Sequence, residues 1–292
     1  MRTSIKINPK GRLANQMFQL MLAKALAKKV SHQVNISGFN MPAWNLISSS
    51  EEINTPSPTI KLRGHLFNLD KIAYLLTTGA LSSVLIEGFG MRLEYYDHHS
   101  DYQKIFRPLP NKAIKLKQNQ ILINVRAEDI LGGNHPKYYP MSFLFYEKII
   151  DESGFEPVFM GQLEQGDYID ALRLAFKGAT FLPQTIEPMQ DFQTIRGAEH
   201  IVCSISSFSW LASWLSEAAQ TIHLPVAGLF NPANRETMLL PINDPRYSFY
   251  KVPFPEEEER KTINIVEWAS KKADVTRLSI PDLGNLILKY TL

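Results

Sequence analysis

The fold class is indicated by residues 3–36, which read TSIKINPKGRLANQMFQLMLAKALAKKVSHQVNI. Alternation over residues 3–7 predicts a strand, and the Asn-Pro-Lys-Gly sequence at 8–11 is a turn signal. Apolar residues then recur at three- and four-residue spacing over 15–30, with lysines towards the end, which predicts an amphipathic helix. Residues 34–36 predict a second strand. This β-loop-α-β order is typical of an open parallel sheet, which binds ligands at the carboxyl ends of its strands.

The second half of the chain repeats this α/β pattern. Residues 120–125 form the strongest predicted strand, and the stiff, proline-containing residues 107–111 precede it. We place a domain boundary near residue 115, which gives an N-terminal α/β domain over 1–115 and a C-terminal α/β domain over 116–292. Two Rossmann-like α/β halves facing a cleft are the simplest architecture. The remaining predicted elements are helices over 69–78, 141–151, 168–176, 191–197, 208–219 and a terminal helix over 263–271, and strands over 83–87, 157–160, 179–181, 200–204 and 221–224.

Composition excludes several classes of protein. A chain of 292 residues with 45% hydrophobic residues can bury a large core, and it contains no run of the roughly 20 apolar residues that a membrane span requires. The net charge of +2 is too small to indicate a nucleic-acid partner. The amino terminus lacks the apolar segment of a secretion signal. A single cysteine, Cys203, fits a reducing compartment, so we expect a cytoplasmic protein.

The loop at residues 11–19 follows the first predicted strand and opens the first helix. Gly11 permits a tight turn, Asn15 is a candidate helix cap, and the following amides, including that of Gln16, would face an anion. An ordinary strand-to-helix turn explains the same residues. The loop is neither a P-loop nor the three-glycine dinucleotide motif.

The sequence Asn124-Val125-Arg126-Ala127-Glu128-Asp129 follows the strongest strand directly. An arginine at the carboxyl end of a central strand can grip a phosphate through two parallel hydrogen bonds. The alternative is an arginine-carboxylate pair between domains. The glycine-rich residues 131–139 suit a mobile flap over the site, or simply a loop.

A third candidate site is Ser204-Ile205-Ser206-Ser207-Phe208-Ser209-Trp210, in which a strand enters a helix. Ser206 or Ser207 can cap that helix, and the hydroxyls with the first amides would make a second anion cradle. The structural alternative is a simple serine cap, with Trp210 and Trp214 packing the helix against the sheet.

Other common chemistries lack their motifs. No Asp-x-Asp pair, the usual metal grip of nucleotide-sugar enzymes, occurs in the chain, and there is no HExxH or Gly-x-Ser-x-Gly pattern. We therefore expect no metal and no tightly bound cofactor. Cys203 is expected to be a core residue and not a nucleophile.

Together these segments resemble the α-1,2-fucosyltransferases, glycosyltransferase family 11. Residues 11–19 are similar to the family's Gly-Gly-Leu-Gly-Asn-Gln-Met/Leu-Phe-Gln loop, and residues 123–129 stand in the place of its His-x-Arg-Arg-x-Asp motif. Residues 138–150 resemble its tyrosine-rich helix, and residues 191–214 resemble its pattern of Asp, then His, then Ser-x-Ser-Ser-Phe-Ser-Trp-Trp. Arg126 and Asp129 keep their places. The departures are Asn124 for His, Ala127 for Arg, Arg12 and Ala14 for Gly, and Leu211 for Trp.

The resemblance implies a GT-B fold, a GDP-sugar co-substrate held mainly by the C-terminal half, and metal-independent inversion. The expected reaction moves L-fucose from GDP-fucose onto a galactoside-type acceptor, an oligosaccharide or lipid-linked glycan, with peripheral contact to the inner membrane face left open. Transfer of another GDP-sugar, or a catalytically inactive binding relative, are the alternatives. Arg126 would meet the departing pyrophosphate, and Asp129 or Glu128 would act as base or orient the guanidinium. The expected donor-binding residues are Gly11, Asn15, Gln16, Asn124, Ser204, Ser206, Ser207 and Phe208, with Asp191 and His200 added by the resemblance. Asp191 is alternatively a helix cap, and His200, which begins a predicted strand, is alternatively a buried residue.

Overall fold

The protein is described by a computed structural model that covers residues 3–48, 58–132, 135–271 and 274–291. The chain divides into two compact units. The first comprises Met1–Arg107 with Glu236–Leu239, and the second comprises Pro108–Arg235 with Leu240–Leu292. Each unit contains a parallel sheet with helices, so the chain has a mixed α/β fold compatible with Rossmann-like organisation.

The first unit is built on a four-stranded sheet of order β2-β1-β6-β5, in which every neighbouring pair is parallel. The segment Glu236–Leu239 joins this unit because Leu93 N donates to Met238 O at 2.8 Å, and Met238 N donates to Met91 O at 3.0 Å. The elements are β1 (Thr3–Ile7), α1 (Leu13–Lys29), β2 (Val34–Ser37), the hairpin β3 (Asn40–Met41) and β4 (Leu46–Ile47), β5 (Thr59–Leu62), α2 (Leu69–Thr77), β6 (Ser83–Ile86) and α3 (His99–Ile105).

Helix α1 differs from its prediction in two respects. It begins at Leu13 after an extended Arg12, so Asn15 lies inside the first turn and is not the cap. It is also buried on nearly all sides through its middle and is therefore a core helix, not an amphipathic one. Lys28 and Lys29 do occupy the last turn, where they complement the helix dipole as predicted.

The second unit contains most of the elements predicted for the C-terminal half. Its elements are β7 (Gln120–Val125), α4 (Phe143–Ser153), β8 (Glu156–Gly161), α5 (Asp167–Ala175), β9 (Thr180–Phe181), α6 (Pro188–Gly197), β10 (His200–Val202), α7 (Ser207–Trp214), β11 (Thr221–Pro225), β12 (Tyr247–Lys251), α8 (Ile265–Ser270), β13 (Thr276–Leu278) and α9 (Ile280–Thr291). Short 3-10 helices cover Pro42–Trp44, Leu93–Tyr95, Pro110–Lys112, Glu128–Ile130, Gly228–Phe230 and Glu259–Lys261.

The second sheet has the order β13-β12-β11-β10-β7-β8-β9. All pairs are parallel except β12 with β13. The chain starts at β7, runs outward to β9, returns to β10 on the other side of β7, and runs outward to β12. This is the doubly wound Rossmann order, and its topological switch point lies between β7 and β10.

Strand β7 forms the centre of this sheet because it is apolar from Ile121 to Ile123 and buried on both faces. An aromatic cluster packs beside it: the Phe159 ring lies 5.7 Å from Tyr146, 5.1 Å from Phe176 and 4.9 Å from Phe181. These large side chains fix the helices against the sheet and so fix the strand ends that carry the candidate site.

Helix α7 ends five residues earlier than predicted. Ser216 Oγ donates to Arg196 O at 2.6 Å and accepts from Ala219 N at 2.9 Å, which forms a turn that stops the helix. Arg246 Nη1 donates to Ser216 O at 2.8 Å and completes this C-terminal cap.

The predicted terminal helix is not the last element. It corresponds to α8, which is capped by Asn264 and is followed by β13 and α9. Within the described ranges, no helix has both the length and the apolar character needed to cross a bilayer.

Candidate functional site

The switch point of the second sheet brings together two of the three motifs predicted from the sequence. Arg126 follows the carboxyl end of β7, and Ser204 follows the carboxyl end of β10. Because Val202 pairs with Ile123, Ser204 comes level with Val125 at the same sheet edge. Two segments that are 80 residues apart in sequence thus share the edge at which doubly wound sheets bind ligands.

Asn124 and Ser204 join the two central strands. Ser204 Oγ donates to Asn124 Oδ1 at 2.7 Å, and the two residues are only 5% and 1% exposed. Gly161, at the end of β8, has φ +114°, and a Cβ there would lie 2.4 Å from Val125 O. Asn124 and Ser204 were both predicted to bind the donor. They are instead buried and bonded to each other, so they support the sheet edge on which a ligand would lie.

Arg126 is held in position by its own loop. Its side chain is 20% exposed, and Nη2 donates to Asp129 Oδ2 at 3.1 Å. The guanidinium lies 4.1 Å above the centre of the Tyr138 ring, whose pKa is raised by burial and lowered in part by the arginine charge. The carboxylate partner observed for Arg126 thus belongs to its own loop. A guanidinium has five N–H donors, so this pairing leaves others for an anion.

Glu128 is the centre of a polar network that links three strand ends. Gln162 Nε2 donates to its Oε2 at 3.0 Å, and Gln184 Nε2 donates to its Oε1 at 2.7 Å. The glutamines are themselves held by backbone amides, since Ala127 N donates to Gln162 Oε1 at 2.8 Å and Leu163 N donates to Gln184 Oε1 at 2.7 Å. Glu128 also has φ +37°, in the left-handed region.

Sequence reasoning missed Gln162 and Gln184. Gln162 directly follows β8, and Gln184 lies three residues after β9. The available signal was their position, since polar residues just past parallel strands meet at the ligand edge. Nothing in the local sequence around either glutamine distinguishes it from an ordinary loop residue.

The start of α7 lies at the same edge. Ser206 is the N-cap and its Oγ accepts from Phe208 N at 3.2 Å, as predicted, while Ser207 is the first helical residue. Trp210 and Trp214 stack at 5.5 Å, with an interplanar angle of 17°, and are buried. Cap and packing together fix this helix start over the switch point.

Asp191 lies close to this helix start. It is in the first turn of α6, whose N-cap is Glu187, so the alternative that Asp191 caps this helix is wrong. Burial raises the pKa of its carboxyl, and a hydrogen bond from Thr185 Oγ1 to Oδ1, at 3.2 Å, opposes the rise. The neighbouring Phe192 ring contacts Phe208 at 5.4 Å, which brings the starts of α6 and α7 together.

His200 is not brought to this edge, which corrects its predicted role in donor binding. It begins β10 at the amino end, and the four-residue rise to Ser204 spans about 13 Å. Its ring stacks on Phe155 at 3.9 Å, and its Nδ1 lies 2.9 Å from Thr221 Oγ1. Burial lowers its pKa, so it is a neutral core histidine at neutral pH.

The remaining predicted residues belong to the first unit. Gly11 has φ +70° and lies so close to Asn15 that a Cβ would be 2.3 Å from its Nδ2. Gln16 Nε2 donates to Gly11 O at 3.1 Å, and Gln16 N donates to Arg12 O at 3.2 Å. The Gln16 amide is therefore used inside the helix and does not face an anion as predicted.

Buried Gln19 fastens the loop between β1 and α1. Its Nε2 donates to Asn8 O at 2.9 Å, and its Oε1 accepts from Lys10 N at 3.0 Å. The same sheet edge carries Glu87, whose Oε2 accepts from Arg63 Nε at 2.7 Å. That hydrogen bond, opposed by burial and aided by Lys10, holds the pKa of Glu87 below its usual range.

The described part of the predicted flap is anchored. Arg260 Nη1 donates to His135 O at 3.1 Å and to Pro136 O at 2.5 Å, and Leu229 N donates to Lys137 O at 3.0 Å. Residues 133 and 134 lie outside the described residues. Among the residues that the structure does describe, no group of three or more His, Cys, Asp or Glu side chains is arranged to hold a metal ion.

Comparisons with known proteins assign no family to the chain. A scan against protein-family models gave no match, and a search of curated proteins gave none. The functional interpretation therefore depends on the residues and on their geometry.

Proposed function

We propose that this chain is a metal-independent, inverting glycosyltransferase of the GT-B type, which transfers L-fucose from GDP-fucose to a hydroxyl of a galactoside-type acceptor. The observation that carries the proposal is the convergence of the Arg126 loop and the Ser206 helix start at the switch point of a Rossmann-order sheet. These are two of the three motifs on which the fucosyltransferase resemblance rests.

The donor nucleotide would lie along the carboxyl edge of the second sheet. Its pyrophosphate would meet the remaining N–H donors of Arg126 and the start of α7, where the helix dipole favours negative charge. Asp191 suits the guanine N1–H and N2–H groups, because a buried carboxylate gains most from two donors. This pairing favours guanine over uracil.

The chemistry is a single displacement with inversion. The acceptor oxygen attacks the anomeric carbon, the bond from that carbon to the pyrophosphate oxygen breaks, and GDP leaves with the electron pair. Arg126 would stabilise the charge that develops on the leaving group. The hydroxyl proton passes to a carboxylate, for which Asp129 and Glu128 are the candidates.

The biological setting is part of the same proposal. The acceptor would be an oligosaccharide or lipid-linked glycan in cell-surface glycan synthesis, and the enzyme would be cytoplasmic or peripheral at the inner face of the membrane. Nucleic acid is not a proposed partner, because the net charge of +2 provides no strongly basic surface.

Titration calorimetry in EDTA, with GDP and UDP as ligands, tests the donor site. We expect wild type to bind GDP more tightly than UDP, Arg126→Ala to lose GDP binding, and the control Arg63→Ala, at the first sheet's edge, to keep it. Equal affinity for UDP, or no GDP binding by wild type, would contradict a GDP-sugar transferase.

A catalytically inactive GDP-sugar-binding relative is the second candidate. It is favoured by Ala127, which is fully buried where the family carries a second arginine, and by Asn124, which is committed to Ser204. This candidate predicts GDP binding without consumption of GDP-fucose or of another GDP-sugar. Turnover of any GDP-sugar excludes it.

A further inference from the structure

We infer that Glu128 takes the proton from the attacking hydroxyl, and that Gln162 and Gln184 are the positioning residues that aim its carboxylate. The assignment rests on the proposed transferase activity and chooses between the two carboxylates that the activity leaves open.

The backbone of Glu128 is held in an unfavourable conformation. Its φ of +37° lies in the left-handed region, which suits glycine and asparagine and disfavours a long unbranched side chain. Such a conformation persists only where the surroundings enforce it, and these positions concentrate at functional sites. Here the conformation places the carboxylate between two glutamines.

The two glutamines fix both carboxylate oxygens from different directions. Gln162 comes from the end of β8, Gln184 from the loop after β9, and each donates one N–H to a different oxygen of Glu128. Each glutamine carbonyl is fixed by a backbone amide, so neither amide group can flip without losing a bond. An exposed carboxylate is thereby locked in one orientation. Each oxygen keeps a second lone-pair site for a ligand proton.

The alternative base, Asp129, is already committed. Its Oδ2 accepts from Arg126 Nη2 at 3.1 Å, so its charge is paired with the guanidinium that would hold the pyrophosphate. The two groups that hold Glu128 are neutral amides, which orient a carboxylate without cancelling its charge. Asp129 thus suits the role of orienting Arg126, and Glu128 suits the role of proton acceptor.

The step balances without a further reactant. The acceptor O–H bond breaks as its oxygen bonds to the anomeric carbon, the proton moves to a Glu128 oxygen, and GDP departs with the electrons of the broken carbon-oxygen bond. Protonated Glu128 then returns its proton to water.

Replacement of the carboxylate gives a direct test. GDP release from GDP-fucose is measured with lactose or water as acceptor in wild type, Glu128→Ala and the isosteric Glu128→Gln, with exposed Glu164→Gln as the charge-matched control. Loss of a general base lowers turnover by about a hundredfold to ten-thousandfold. We expect that loss in both Glu128 variants, with GDP affinity within threefold of wild type and with the control unaffected.

Azide distinguishes a general base from a structural residue. Azide attacks as an anion and has no proton to lose, so its reaction needs no base. We expect azide to restore GDP release in Glu128→Ala and to form the inverted glycosyl azide. Gln162→Leu and Gln184→Leu should lower kcat about tenfold without changing KM for GDP-fucose, and their azide reaction should match that of wild type.

The outcomes separate the two proposals. The role of Glu128 is wrong, and the transferase proposal stands, if wild type is active and Glu128→Ala keeps more than a tenth of its turnover. The same follows if wild type is active and Glu128→Ala binds GDP but gains no activity from azide. A wild type that neither binds GDP nor releases it from GDP-fucose overturns the transferase and, with it, the role of Glu128.

Discussion

The carboxyl edges of the two parallel sheets are built from similar parts and use them differently. Each has an arginine-carboxylate pair, Arg63 with Glu87 in the first unit and Arg126 with Asp129 in the second. In the first unit the buried amide of Gln19 holds backbone groups, the Lys10 amide and the Asn8 carbonyl. In the second unit, side chains from three successive strand ends hold one another around Glu128.

This difference indicates where the chemistry is concentrated. Hydrogen bonds to the backbone fix the conformation of a loop. Hydrogen bonds between side chains also fix the reactive groups of those side chains in position. Both edges satisfy the topological rule for ligand binding, since each lies at a point where the strand order reverses. Among the described residues of the second edge, the carboxylate of Glu128 and the guanidinium of Arg126 are held by different partners, whereas Arg63 and Glu87 of the first edge bind each other.

The largest expected difference is in turnover. Arg126→Ala should lower GDP release from GDP-fucose by about a hundredfold to a thousandfold, because loss of one donor to a developing oxyanion costs roughly 2.7 to 4 kcal/mol. The matched Arg63→Ala should keep donor hydrolysis near the wild-type rate. More than a tenth of wild-type turnover in Arg126→Ala would remove Arg126 from the mechanism.

Buried amides should dominate stability at both edges. Gln19→Ala removes the partner of two backbone groups, whereas Asn124→Ala removes one partner of the Ser204 hydroxyl, which keeps Ser209 Oγ at 3.4 Å. A buried group left unsatisfied costs about 1 to 3 kcal/mol. We therefore expect Gln19→Ala to be the more destabilising in denaturant unfolding followed by circular dichroism. Equal decreases in the free energy of unfolding would mean that Lys10 N and Asn8 O form hydrogen bonds to water when Gln19 is replaced.

The carboxylates Glu87 and Asp191 should respond to pH with opposite signs. The pKa of Glu87 is lowered by Arg63, so its stabilisation is present at neutral pH and is lost as pH falls below about 4.3, its unfolded value. The pKa of Asp191 is raised by burial, so its charged form destabilises the fold above the raised value.

Unfolding free energies from about pH 8 to about pH 3, which spans the range below the unfolded pKa of Glu87, check these signs. Glu87→Gln should be destabilising and Asp191→Asn stabilising at high pH, and both differences should shrink on acidification. Saturating GDP should reverse the advantage of Asp191→Asn if Asp191 holds guanine. If GDP leaves the stability difference between Asp191→Asn and wild type unchanged, Asp191 does not bind guanine.

The smallest effect concerns left-handed backbone. Replacing glycine by alanine at positive φ costs roughly 1 kcal/mol, so Glu128→Gly should be more stable than Glu128→Ala by about that amount. Asn45, at φ +55° in the first unit, provides the matched pair of variants. Comparison of glycine with alanine at one position isolates the backbone from the lost side chain, and no difference at position 128 would contradict strain there.

Much of the fold was predictable from local pattern. Strands β1 and β7 were predicted at the observed residues, because alternation and an unbroken apolar run are properties of neighbouring residues. The burial of α1 on nearly all sides was not predicted, because its lysines and glutamines resemble a polar face. Strands β5, β12 and β13 were missed, since their pairing depends on partners distant in sequence.

The candidate site was predicted in its parts but not in its assembly. Arg126, Ser206 and their neighbours were identified from motifs, whereas the contact of Asn124 with Ser204 follows from strand order, which residue periodicity does not encode. His200 was misplaced because the family resemblance assigned it to the nucleotide, whereas it begins β10 and so lies at the amino end of that strand. Gln162 and Gln184 carry no local signal and act only through Glu128.

The positions of the tryptophans give the protein built-in optical reporters. Of the four, the stacked Trp210 and Trp214 belong to the helix that starts at the switch point, and Trp268 lies edge-on to Tyr139 at 4.8 Å beside the anchored flap segment. Trp44 belongs to the first unit. Three of the four indoles thus emit from the unit that carries the proposed donor site, so intrinsic fluorescence can follow nucleotide binding there without an attached dye.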